Sequence, residues 1–185
     1  MRPGNVAAVR PSVVTSTQPT VEQIWDWLRE VPDPEIPVIS VVDLGIVRDV
    51  RWEREAAGER LVVTVTPTYC GCPATSVISS DIKTALQQRG IDALRIETRI
   101  SPPWTTDWMS EAGRQRLREF GIAPPVHTAG AIFPLKQLSS SRIPIECPHC
   151  GSANTARVSE FGSTPCKAQY QCRDCLEPFD YIKCI

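Results

Sequence analysis

Val21, Ile24, Trp25 and Leu28 recur at i, i+3, i+4 and i+7, one apolar stripe of a helix. Thr20 precedes them and Gln23 follows three residues on, the spacing of a capping box, and Pro32 and Pro34 end the helix. From Ile46 to Glu53 apolar and polar positions alternate loosely. After a turn around Gly58, the run Leu61 to Thr66 (LVVTVT) has the β-branched content of a strand, so the two segments are expected to pair as a hairpin. Pro67 to Cys72 reads as a loop and Pro73 as the first turn of a second helix. Its apolar face is Val77, Ile78, Ile82, Ala85 and Leu86, and Gly90 supplies the stop. Ala93 to Ile100 reads as a third strand, and a last helix runs from about Ser110 to Phe120, ending at Gly121.

The order α-β-β-α-β-α predicts a small α+β domain over residues 20–122. Pro124, Pro125, Gly130 and the serines 139–141 mark a linker over 123–143, which leaves residues 144–185 as a separate module. Within that module Thr155–Phe161 and Lys167–Gln171 read as short strands around Gly162. Residues 1–19 carry Arg2 and Arg10, three prolines and no acid. They lack the apolar stretch of a secretory signal, and the prolines suit an organelle transit peptide poorly, so a disordered tail is expected.

Cysteine placement changes the picture most. Six of the eight cysteines lie in the final module, and Cys147-Pro-His-Cys150 and Cys172-Arg-Asp-Cys175 are two CxxC pairs. Each pair can close on one metal ion from a tight turn, and four thiolates make a tetrahedral structural zinc site. Knuckle, hairpin and second knuckle make a zinc ribbon. An iron–sulfur cluster on the same four residues fits the intervening hairpin less well. A module this small buries too little apolar surface to fold unaided, and a metal is its natural staple. His149 sits inside the first knuckle and is expected to point outward. Cys166 and Cys184 are left over, either as small buried residues of the ribbon or as ligands of a second, transient site.

Cys70 and Cys72 flank one glycine on the loop before the second helix. Cys72 falls near that helix's N-terminus, where unpaired N–H groups and the helix dipole favour a thiolate, and so a nucleophile or metal ligand. Asp33 and Glu35 are paired carboxylates beside prolines, and Asp43 lies close to Gly45. On spacing alone these acids read as turn chemistry. Pro102-Pro103-Trp104 with Trp108 reads equally as a partner-binding patch or as a lid on the core. The formal net charge of −1 gives no electrostatic case for nucleic acid, and no apolar run approaches the roughly 18 residues of a membrane span. Without an export signal the thiols are expected to be reduced, in a cytoplasmic protein.

The string DPEIPVISVVDLGIV, followed by a strand and CGCPA, resembles the metal–sulfur cluster assembly domain of SufT-like proteins and of cytosolic iron–sulfur targeting factors. Its DPE loop, DLG(I/L)V turn and Cys-Pro helix start map onto Asp33-Pro34-Glu35, Asp43 to Val47 and Cys72-Pro73. The further motifs TPTY-x-GCPAT, PPWTTDWM, RLREFGI, EFGST-x-CKA and EPFDYIKCI resemble the PaaD family of phenylacetyl-CoA epoxidase components over residues 20–185. That family carries Ser where this chain has Cys70, so the resemblance points to Cys72 first.

The resemblance implies an accessory, non-catalytic component of a multicomponent oxygenase, in aerobic phenylacetate breakdown. Its partners would be the di-iron oxygenase and iron–sulfur flavoprotein reductase subunits, or the iron–sulfur assembly machinery. Iron or an iron–sulfur cluster would bind transiently at Cys72, helped by Cys70 and bordered by Asp33 and Glu35. The residues agree in lacking the two ExxH motifs of a di-iron site and a GxGxxG for a dinucleotide. Two other classes remain: a thiol–disulfide protein using Cys70 and Cys72, and a ribbon for nucleic acid. In the latter Lys167, Arg173 and Lys183 are offset by Glu160, Asp174, Glu177 and Asp180.

Overall fold

A computed structural model describes residues 18–56, 58–69, 71–126 and 145–183. Cys70, Cys184, the N-terminal tail to residue 17 and most of the expected linker lie outside the described residues. Helix α1 (Val21–Leu28) begins as the sequence predicts. The Thr20 hydroxyl accepts from the Gln23 N–H, and the Gln23 side chain accepts from the Thr20 N–H. Both contacts are local, which is why the pattern could announce them.

Strands β1 (Val47–Glu55) and β2 (Gly58–Val65) form the antiparallel hairpin. Helix α2 (Ala74–Gln87) then crosses over, and β3 (Leu94–Thr98) returns parallel to β2, giving the order β1-β2-β3. The observed α+β class matches the expected one. Leu61, Val63 and Val65 alternate toward a core shared with Ile24 and Leu28 of α1 and Ile78, Ile82 and Leu86 of α2. On the other face Val62 pairs with Arg51 on one side and Arg95 on the other. Those guanidiniums bridge Glu53 and Glu97, and their aliphatic stems allow Val62 to be fully buried.

After a short 3-10 turn (Thr106–Trp108), α3 (Glu111–Glu119) is capped by the Ser110 hydroxyl, which accepts from the Gly113 N–H at 2.9 Å. A two-residue strand β4 (Ile122–Ala123) follows. It pairs in parallel with β7 (Pro178–Ile182), the last strand of the ribbon. With β5 (Thr155–Ser159) and β6 (Lys167–Cys172) this makes a four-stranded sheet ordered β4-β7-β6-β5. The ribbon is therefore welded to the α+β unit through a shared sheet, and Ile122 and Ile182 both lie in the main core.

Candidate functional site

The structure forms two sites, one in the ribbon and one at its junction with the α+β unit. In the ribbon each CxxC pair folds as a tight turn. The Gly151 N–H donates to the Cys147 carbonyl at 2.9 Å, and the Cys172 N–H donates to the Glu177 carbonyl at 3.0 Å. The turns bring Cys147, Cys150, Cys172 and Cys175 together, with all four sulfurs within 4.8 Å of one another. Cys147 and Cys175 stand 3.7 Å apart, and Cys150 and Cys172 3.6 Å. For metal–sulfur bonds of about 2.3 Å a tetrahedron has edges of about 3.8 Å, so the donor set fits zinc as it stands. The Cys172 thiol is drawn down to about 6, first by the Cys175 N–H, which points at its sulfur. The set is not uniform: against the pull of the Glu177 N–H, burial and the other three sulfurs push Cys175 up to about 12, and Cys150 is raised as well. His149 is not in the sulfur group. Its ring lies over Gly121, where an added Cβ would come within 3.0 Å of Cε1, so the first knuckle rests on the end of α3.

The second site is a small cavity, ≈ 30 Å³, beneath the loop before α2. Asp33, Glu35, Cys72 and Trp104 line it together with Cys166 and Ile182 of the ribbon. Room of that size holds one or two water-sized bodies. The sequence-predicted residues Asp33, Glu35 and Cys72 are thus brought together, and Cys70 lies outside the described residues. Cys72 stands one position before Pro73, which caps α2 without a side-chain bond. Its N–H donates to the Tyr69 carbonyl at 3.3 Å, and its carbonyl accepts from the Thr75 N–H at 3.2 Å.

Asp33 performs turn chemistry as well. Its Oδ1 accepts from the Glu35 and Ile36 N–H groups, each at 2.9 Å. The side chain is 5% exposed, and burial raises its pKa against the opposing pull of those two N–H groups and of Lys167. Glu35 is also raised, first by burial and then by the neighbouring Asp33 charge. Lys167 enters this field from the ribbon, its ammonium held by the Ser163 hydroxyl at 3.0 Å and Asp180 at 3.6 Å. Tyr69 borders the site. Its hydroxyl is buried without a hydrogen bond of full geometry, and its pKa is pushed up to about 12, first by burial and then by Cys72, Cys166 and Glu35.

Neighbouring motifs brace the loops around this cavity, and of their residues Leu44 and Trp104 also line it. Asp43 accepts from the Ser40 hydroxyl at 2.9 Å and the Ser110 hydroxyl at 2.7 Å, and pairs with Arg116 at 2.5 Å. Trp104 is buried and its indole N–H donates to the Leu44 carbonyl at 3.0 Å, while Trp108 is stacked under the Arg48 guanidinium at 3.6 Å. Trp104 thus sits in the core as the lid reading expects, and Trp108 is half-buried against it. Sequence reasoning left Cys166 unassigned. Its one signal is its position in the ribbon between the two knuckles, outside both CxxC pairs.

The fold is an α+β domain carrying a ribbon whose four clustered cysteines suit structural zinc. Residues 21–92 match the family model described as iron-sulfur cluster assembly protein, and residues 134–183 match the PaaD zinc beta ribbon domain. The chain is 45% identical over 94% of its length, and 98% of the relative's, to the Escherichia coli (strain K12) protein named as the putative D component of 1,2-phenylacetyl-CoA epoxidase. It belongs to the PaaD family of phenylacetyl-CoA epoxidase components. Over 53% of this chain and 90% of the relative it is 38% identical to an "Fe-S protein maturation auxiliary factor" of Porphyromonas gingivalis. A solved domain of unknown function, DUF59, from Bacillus anthracis is 30% identical over 52% of this chain and 89% of its own, with a TM-score of 0.46. Among the described residues no helix is long and apolar enough to cross a membrane.

Proposed function

We propose that the protein is a non-catalytic accessory component of a phenylacetyl-CoA epoxidase system. It assists the loading of iron or an iron–sulfur cluster into the oxygenase or the reductase. The observation that carries this reading is the meeting of Cys72 with Asp33 and Glu35 in one small cavity with apolar walls. A thiolate beside carboxylates suits iron, and an incomplete donor set on a loop can release what it binds. The four-thiolate ribbon is closed and structural by contrast. Relatives named as an epoxidase component and as Fe–S maturation auxiliary factors support the same assignment. On this reading Cys72 is a transient thiolate ligand assisted by Cys70, Asp33 and Glu35 border it, and the work is cytoplasmic. The test is a Cys72→Ala chain in cells that express the whole epoxidase. Iron content of the oxygenase and reductase, and epoxidase activity, are expected to fall together. Full loading and activity with Cys72→Ala would remove the role given to Cys72.

A further inference from the structure

The two knuckles of the ribbon are joined by three polar side chains that lie outside the sulfur group. Asp174 sits inside the second knuckle, between Cys172 and Cys175. Its Oδ1 accepts from the Asn154 side-chain amide at 2.7 Å, and its Oδ2 accepts from the Ser152 hydroxyl. Ser152 also closes the first knuckle, because its carbonyl accepts from the Cys147 N–H at 2.9 Å. Its hydroxyl accepts in turn from the Asn154 N–H at 3.0 Å, which fixes the oxygen that meets Asp174. The Arg173 N–H donates to the Asn154 carbonyl at 2.8 Å, a backbone link in the same place. These contacts carry the β5–β6 ladder beyond its end pair, Thr155 with Cys172, and into the knuckles. Apolar packing does not account for them. Asn154 and Asp174 are exposed, and none of the three residues belongs to an apolar cluster.

We propose that Ser152, Asn154 and Asp174 form a latch that sets the two knuckles at the sulfur spacing a tetrahedral zinc ion requires, with Asp174 as the positioning residue. Two ligands come from each knuckle, so the separation of the knuckles fixes the distances from Cys147 to Cys175 and from Cys150 to Cys172. A latch between them removes part of the ordering cost of binding, and so tightens zinc without touching it. The carboxylate is the centre of the latch because its two oxygens take both donors at once, with the added strength of a charged acceptor. Its charge acts in the opposite sense. Four thiolates around a divalent ion carry net negative charge, so a further carboxylate nearby disfavours the loaded site. Latch and charge therefore predict opposite signs when Asp174 is replaced.

The test uses the full chain. Zinc affinity is measured by competition with a chromophoric chelator, and the titration is repeated with cobalt(II), whose ligand-field bands report the geometry of a four-sulfur site. Asp174→Ala is expected to bind zinc at least about tenfold more weakly, the scale for losing a contact that orients metal ligands. Asp174→Asn keeps one acceptor oxygen and loses the charge, and should recover part of that loss. Ser152→Ala should weaken zinc too, and add little on top of Asp174→Ala, since the two residues share one contact. At saturating cobalt the bands of Asp174→Ala should be displaced from those of the parent. Unchanged or tighter zinc binding in Asp174→Ala overturns the inference and leaves only the charge. Fully additive losses in the double variant overturn it as well. So do parental cobalt bands alongside a weaker affinity, which would make Asp174 a general stabiliser of the ribbon. Where Asp174→Ala does not fold, Ser152→Ala decides, and undiminished zinc affinity there overturns the latch.

Discussion

Gly45 and Trp108 meet backbone to backbone: a Cβ on Gly45 would lie 2.5 Å from the Trp108 carbonyl oxygen. Gly45 also has φ +75, a conformation that side chains rarely adopt. The contact fixes the segment carrying Trp104 and Trp108 against the loop that ends at β1, and Asp43 clamps the same junction through Ser110 and Arg116.

Gly45→Ala is therefore expected to destabilise the fold by about 3 kcal/mol, the sum of a left-handed residue and a close contact. Gly58→Ala is the internal comparison. Its φ is +127 but nothing lies within 4 Å of an added Cβ. Urea denaturation should give the smaller loss at Gly58. Equal losses at the two positions would mean that the Trp108 contact yields freely.

The local part of this architecture was legible in the sequence. The α1 capping box, the β1–β2 hairpin and the two CxxC turns each need only neighbours in the chain, and all are present. What pairs across distance was not legible. β4 is two residues long, too short to carry any periodicity, and its parallel partner β7 lies at the far end of the chain. The alternation within Pro178–Ile182 was legible as a motif but not as a strand. That Cys166 lines the same cavity as Cys72 follows from the docking of the ribbon through β4–β7 and Ile182, so no spacing rule could announce it. Asp33 read as turn chemistry, and it is that. Its place in a cavity emerges only when β2, α2 and the ribbon surround it.

Asp33 gives the fold a pH dependence of definite sign. Burial raises its pKa above the ordinary 3.8, so the folded state holds this proton more tightly than the unfolded state does. Its contribution to stability then falls as pH rises above 3.8, and is lowest above the raised folded value. Asp33→Asn keeps an oxygen for the Glu35 and Ile36 N–H groups and removes the charge. Relative to the parent it should gain stability as pH rises through that window. Asp33→Ala loses both hydrogen bonds and should cost about 1–3 kcal/mol at pH below that ordinary value, and less as pH rises. Glu35 supplies an independent readout. The Asp33 charge helps raise it, so its carboxyl titration, followed by NMR, should move down in Asp33→Asn. A Glu35 titration unmoved by that substitution would show that burial alone sets its value.

Zinc removal is expected to reach beyond the ribbon. The two knuckles bracket β5 and β6, and structural zinc contributes on the order of 10 kcal/mol to modules of this kind. Without it β7 loses its hold on β6, and with β7 go the pairing of Ile122 with Asp180 and the packing of Ile182 in the main core. The β1–β2 hairpin, with Leu61 and Val63 fully buried against α1 and α2, depends on none of these contacts. Chelation should therefore strip amide hydrogen-exchange protection from β5, β6, β7 and β4 together, and leave β1 and β2 protected. Persistent protection at Ala123 and Ile182 after zinc loss would instead show that the docked strands hold through apolar packing alone.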